Sequence, residues 1–255
     1  GHVIGPLFGG VLSDRLGYSH VFLITGGAAV LAGLIVAVFV RENFRPVAAA
    51  ERHGLRDNLA MLRTLPALRT TFAVMFLTQI GLMVVQPVLP LFVQSLEADA
   101  SGLLRTKVGL IFSMPGLAAV LAAPAWGVRG DRVGYRWTLS LALLGSGLLY
   151  LPHALVQSAA QLMGIRFAVG LCTAGIAPAA NSMVASTAAA GRTAGALSLL
   201  STAQWLGAIA GPLLGGALSA QFGIRTMFLV TGTLLLCSGT CAWRAAGKPV
   251  GPSSR

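Results

Sequence analysis

An all-α bundle of membrane-spanning helices is the fold class this sequence predicts, and three observations carry it. The 255 residues are 55% hydrophobic and 10% charged, with a mean hydropathy of +0.79. That is more apolar surface than a water-soluble domain of this size needs. The seven acids, Asp14, Glu42, Glu51, Asp57, Glu97, Asp99 and Asp131, all fall between long apolar stretches. Finally, Gly1-x-x-x-Gly5-Pro6-x-x-Gly9-Gly10 recurs as Gly207-x-x-x-Gly211-Pro212-x-x-Gly215-Gly216, an offset of 206 residues. Agreement at that offset continues through Leu12/Leu218, Ser13/Ser219, Gly17/Gly223, Phe22/Phe228 and Leu23/Leu229. The chain therefore carries the equivalent ends of two homologous halves. With neither an initiator Met nor the basic start of a signal peptide, residue 1 is read as lying inside a helix, with the front of the protein missing.

Crossing the hydrocarbon of a bilayer takes about 20 apolar residues per helix. Residues 1–12 are half a span and 19–40 a full one. A charged connector fills 41–70, and further spans follow at about 71–94, 108–128, 137–156, 160–186, 194–219 and 226–243. The total is seven complete helices and one partial one. In the connector, Leu55, Leu59 and Leu62 repeat with helical spacing while Arg52, Arg56 and Arg63 stand elsewhere. Both an amphipathic helix on the inner leaflet and a loosely ordered tether fit that pattern.

Counting bases on alternate sides orients the bundle. Thirteen of the eighteen Lys and Arg fall on the side of the connector, four on the other, and Arg166 lies within a span. Positive charge is retained in the cytoplasm, so the connector and the C-terminus are expected inside. The formal charge of +11 is spread over short segments between apolar spans. It forms no patch or arm, and a nucleic-acid partner is excluded on that ground. Cys172, Cys237 and Cys241 lie within spans without a neighbouring His or acid; they are read as small core residues, and no metal site is expected.

Gly207, Gly211 and Gly215 form one flat stripe along a helix, which admits a neighbouring backbone closely. Pro212 removes a backbone hydrogen bond beside it and is expected to kink the helix. The ten-residue pattern resembles the antiporter signature of the fifth helix in drug:proton antiporters of the major facilitator superfamily. Gly127-Val-Arg-Gly-Asp131-Arg132-Val-Gly134-Tyr-Arg136 is similar to that superfamily's G-x-L-x-D-R-x-G-R-R cytoplasmic loop, with Arg129 in place of the usual Leu. Arg166-x-x-x-Gly170 resembles the R-x-x-x-G motif of the fourth helix, the counterpart of the tenth. Arg41-x-x-Phe44-x-Pro46-Val47 together with the opening stretch resembles a multidrug-resistance branch of these antiporters.

The resemblance implies twelve helices in two six-helix halves, of which this chain holds about seven and a half. Residues 1–40 would close the N-terminal half, 41–70 connect, 71–243 form the C-terminal half, and 244–255 be a cytoplasmic tail. Gly127, Asp131, Arg132, Gly134 and Arg136 would then form a gating loop whose Asp caps a helix or pairs with Arg, or else a solvated turn. Gly10 to Gly17 also fits the loop pattern, but span counting places Asp14 outside, so it is not read as that loop. Arg166 is read as a base anchored at a span edge, and His153 as an interfacial residue.

Polar groups in hydrocarbon are unfavourable unless paired or facing a wet cavity. Gln79, Met83 and Gln86 share a face of the seventh helix, whose outer end is expected to be broken by Pro87 and Pro90. Asn181 shares a face with Gly170, Ala174 and Ala177, and Gln204 shares the stripe of Gly207. These five are the substrate-cavity candidates; hydrogen bonds between helices are the competing role. No acid lies in any span, so a coupling carboxylate is expected in the missing helices.

The function implied is efflux of drugs or other amphipathic small molecules by alternating access. It would be powered by a proton gradient with no bound cofactor, in the bacterial inner membrane, by a protein monomeric at full length and inactive as this fragment. A sugar or metabolite uniporter or symporter shares the fold, and a remnant of a transporter gene is the other alternative. No H-E-x-x-H, G-x-S-x-G or comparable constellation points to an enzyme.

Overall fold

The structure, a computed structural model, describes residues 4–40, 54–96, 103–188 and 191–246. Gly1, residues 41–53 with the stretch at 41–47, and residues 247–255 of the expected tail lie outside the described residues. Among the described residues every regular element is helical: α1 (Ile4–Leu16), α2 (Tyr18–Phe39), α3 (Leu55–Thr64), α4 (Pro66–Val84), α5 (Leu89–Leu96), α6 (Leu104–Val133), α7 (Tyr135–Tyr150), α8 (Ala159–Thr173), α9 (Ile176–Thr187), α10 (Thr193–Phe222) and α11 (Ile224–Ala246). A 3₁₀ turn, Leu151–Leu155, extends α7. Seven stretches are long and apolar enough to cross a membrane: Tyr18–Phe39, Pro66–Leu96, Leu104–Val133, Tyr135–Leu155, Ala159–Thr187, Thr193–Phe222 and Ile224–Arg244. All seven expected spans are among them.

Three antiparallel corners are made by one residue each. Gly17 (φ 77°), Gly134 (φ 94°) and Gly223 (φ 82°) sit in backbone that an L side chain resists, and they join α1 to α2, α6 to α7 and α10 to α11. Gly17 and Gly223 are equivalent in the repeat, so the duplication extends to the corner itself. At the outer end of the seventh span, the expected break is present. α4 stops at Val84, and Pro87 and Pro90 flank the restart at Leu89. The Gly81 carbonyl near that helix end accepts a hydrogen bond from the buried Thr231 hydroxyl of α11 at 2.8 Å.

The core lies between α4, α7, α10 and α11, with α8 and α6 outside α7 and α1 packed on α6. Leu89, Leu139, Leu143, Leu162, Met227, Phe228 and Leu235 are fully buried in it. By contrast α2 buries no residue. A helix apolar on all sides needs lipid or other protein around it. Of the connector, Leu55–Thr64 is helical, and the helix lies against the bundle. α3 packs on α4 and α10, and its Met61 is buried. Pro212 does not interrupt α10, which runs unbroken from Thr193 to Phe222. The expectation that all three cysteines are core residues is corrected: Cys237 and Cys241 are exposed and Cys172 is half-buried.

Candidate functional site

The second copy of the repeated motif forms a close helix seam. A Cβ built on Gly207 would stand 2.7 Å from the Phe76 carbonyl oxygen and 2.8 Å from Gln79 Cβ. One on Gly211 would meet Met83 Cβ at 2.5 Å, and one on Gly215 would overlap the Val84 carbonyl. The three glycines let α10 lie directly on the backbone of α4, as the stripe predicts. Gln79 and Met83 are thereby held against the stripe, with Gln204 one turn away on α10. Gln79, Gln86 and Gln204 are half-buried, and neither their amides nor that of Asn181 forms a hydrogen bond within the described chain. Gln86 sits in the break after α4. Asn181 is exposed on α9 and is not drawn into the Gln79–Met83 contact.

The first copy uses its other face. A Cβ on Gly10 would stand 2.5 Å from the Arg105 carbonyl oxygen, and one on Gly109 would overlap the Pro6 carbonyl, so α1 and α6 meet glycine to glycine. Gly5 and Gly9, equivalent to the packed Gly211 and Gly215, have nothing within 4 Å, and neither does Gly216, the equivalent of Gly10. Just beyond this contact Asp14, its side chain 7% exposed, accepts hydrogen bonds from the Thr106 amide (2.7 Å) and hydroxyl (2.6 Å) and stands 4.0 Å from Arg105 Nε. Arg105 donates to the Ser13 carbonyl at 2.8 Å and lies over the Tyr18 ring. Asp14 of α1 thus caps the N-terminus of α6, where a carboxylate meets unsatisfied N–H groups and the positive helix end. Sequence reasoning weighed this residue only as part of a loop pattern and did not foresee the cap. The available signal was an acid one helix-corner from a span, with Arg105 and Thr106 at the start of another.

The expected gating loop is not a loop. Gly127, Asp131 and Arg132 lie in the last turns of α6, Arg136 lies in the first turn of α7, and only Gly134 stands between the helices. The Gly134 amide still donates to the Gly130 carbonyl at 2.9 Å, so the helix runs to the corner. Scattered glycines do not break a helix whose i→i−4 bonds are intact. Asp131 caps nothing: it accepts a hydrogen bond from the Tyr135 hydroxyl across the corner. Gly130 packs under that same ring.

The tenth span departs furthest from expectation. It breaks after Thr173, because the Gly175 amide bonds to the Cys172 carbonyl and leaves that of Leu171 without its helical partner. Trp126 of α6 fills the break: its indole N–H donates to the Leu171 oxygen at 2.6 Å, and a Cβ on Gly175 would strike the indole at 2.6 Å. The face through Gly170, Ala174, Ala177 and Asn181 is therefore not continuous. Trp126→Phe keeps an aromatic ring but removes the donor and part of the indole's volume, so a stability loss of about 1–3 kcal/mol is expected in detergent melting. Gly175→Ala, which displaces the whole indole, should lose more.

Arg166 is not an edge anchor: it is 5% exposed, with its guanidinium over the Phe112 ring and Nε without a hydrogen-bond partner. Gly170, one turn on, abuts Pro115 and Ala118 of α6. His153 is likewise not interfacial. It is fully buried, stacked between Tyr150 and Phe228, with Nδ1 bound to the Leu149 carbonyl at 3.0 Å. Arg225 closes the turn around it by donating to the Ala154 and Val156 carbonyls at 2.9 and 3.1 Å.

Paired repeats that pack through glycine faces, with half-buried amides along one seam, define a duplicated polytopic membrane protein. The chain belongs to the major facilitator superfamily, whose family model matches residues 1–105 and 71–255. It is 34% identical over 248 residues to the "Multidrug resistance protein MdtG" of Salmonella typhimurium (strain LT2), and equally to the proteins of that name from Salmonella arizonae and Salmonella newport. Each alignment covers 96% of this chain and 60% of the relative. The chain thus spans about three-fifths of the length of the curated relatives it matches.

Proposed function

We propose that residues 1–255 are part of a proton-coupled transporter that exports drug-like amphipathic molecules by alternating access. The observation that carries this reading is the α4–α10 seam. Gln79 and Gln204 are amides without hydrogen bonds among the described residues, held beside Met83 on a glycine-lined contact. Such a surface recognises ligands by shape and apolar contact with a few adaptable polar groups. The relatives named for multidrug resistance support the substrate class. The base asymmetry supports an inner-membrane topology with the C-terminus in the cytoplasm.

In this reading residues 1–40 close one half, 41–70 connect, and 71–243 form the other half, the two rocking about a midplane cavity. Gly1, Gly5 and Gly9 would seat a helix of the first half as Gly207, Gly211 and Gly215 seat α4. The corner through Gly127, Asp131, Arg132, Gly134 and Arg136 would hold one conformation through its Asp131–Tyr135 contact. The coupling carboxylate is assigned to the portion of the relatives' length that this chain does not cover.

Residues 1–255 alone are expected to confer no drug resistance in an efflux-deficient bacterium, because α2 is unburied and one cavity wall is lacking. Grafted in place of the homologous segment of the Salmonella typhimurium relative, they are expected to lower drug accumulation, with a protonophore restoring it. A grafted protein that reaches the membrane yet leaves accumulation at the empty-vector level would sink the proposal.

A further inference from the structure

The end of the bundle that carries most of the bases holds a cavity of about 430 Å³ between α4, α7, α9 and α11. Its walls are apolar, with Val74, Leu139, Met183 and Ala242 among them, and Arg136 and Arg244 line it as well. The hydroxyls of Thr70 and Thr71 beside them already donate to their own helix, at Pro66 and Ala67. They add little polarity to the wall. Next to the two arginines in sequence, Trp137 and Trp243 stack edge to face with centroids 4.4 Å apart. The volume is that of an ordinary small-molecule site, and its mostly apolar wall suits a segment of hydrocarbon chain.

We propose that this cavity binds an anionic phospholipid, its phosphate drawn by Arg244 with Arg136 beside it, and the start of an acyl chain lying along Ala67, Thr70 and Met183. The charge and apolar surface are segregated as a phospholipid requires, and the indole pair is of the kind that settles at headgroup depth. The Arg244 guanidinium opposes a cationic drug at this mouth. Gln79 stands more than a helical turn beyond Val74 along α4, so the cavity is separate from the α4–α10 seam. The proposal rests on the reading that the basic end faces the inner leaflet. Its test, however, measures lipid binding in detergent and not transport, so the two can fail independently.

The purified chain in a neutral detergent would be melted with added phosphatidylglycerol, with phosphatidylcholine of the same acyl chains, and with inorganic phosphate. Phosphatidylglycerol is expected to raise the midpoint by about 5 °C, the other two to leave it in place. The R136Q/R244Q variant should lose the rise and R136K/R244K keep it, which separates charge from folding. T70L, which narrows the crevice, should weaken it. Equal shifts from both lipids, a shift from phosphate alone, or an undiminished shift in R136Q/R244Q would each overturn the proposal.

Discussion

Gly215→Leu is expected to destroy the folded chain while Gly216→Leu, its immediate neighbour in the same motif, is tolerated. At position 215 even a methyl group overlaps the Val84 carbonyl, which is backbone and cannot rotate away. α10 would have to lift off α4 along the stretch where Gly207 and Gly211 are equally close. Overpacking of a rigid contact is unfavourable by about 3 kcal/mol or more, and in lipid no hydrophobic drive between helices offsets a lost close contact. At position 216 the side chain enters open space. Detergent-solubilised yield and melting midpoint of the two variants settle the matter; equal behaviour would mean that the seam is not where the stability lies. The reversed outcome is expected in the first copy, where Gly10→Leu should be damaging and Gly9→Leu harmless to residues 1–255.

Asp14→Ala is expected to loosen the α1–α2 hairpin from the rest of the protein. The substitution leaves the Thr106 amide and hydroxyl without their acceptor and Arg105 without its carboxylate. Hydrogen bonds to a charged, nearly buried group are worth about 1.5–3 kcal/mol each, and α1 has no other partner of comparable extent outside its own hairpin. Amide hydrogen exchange should rise along α1 and in the first turn of α6 and stay as before in α7 and α11. Asp14→Asn, which keeps an acceptor for Thr106 but not the charge, should lie between. Unchanged exchange in α1 of Asp14→Ala would show that the Gly10–Gly109 contact alone holds the junction.

What the sequence made legible follows from the range of the forces involved. Spans are set by long apolar runs, and all seven are where hydropathy places them. The break at Pro87 was readable because proline acts on its own backbone. The glycine stripe was readable because its spacing is that of one helix face, although nothing local told that Gly10, and not Gly9, would carry the contact of the first copy with α6. That difference depends on which neighbour each copy meets. The corner at Gly134 was misread as a loop because the motif's resemblance to a cytoplasmic loop says nothing of the hydrogen bonds that continue α6 through Gly127 and Asp131. His153 and Arg166 were misplaced for a different reason. Their surroundings, Phe228 of α11 and Phe112 of α6, are remote in sequence, and only the fold brings them near. Asp14 was set aside on topology, which weighed it as a gate and said nothing about a cap.

The break between α8 and α9 has a mechanical meaning. A helix interrupted beside a proline, here Pro178 in the first turn of α9, is ordinarily a place where a chain flexes. Here the Trp126 indole occupies the notch against Gly175 and takes up the Leu171 carbonyl that the interruption released. The notch is thereby an elbow set in plaster: α9 cannot swing on α8 without dragging α6. A displacement in this part of the protein would then carry α6, α8 and α9 together as a single lever, with compliance left to the single-residue corners, the break between α4 and α5, and the contact between α1 and α6.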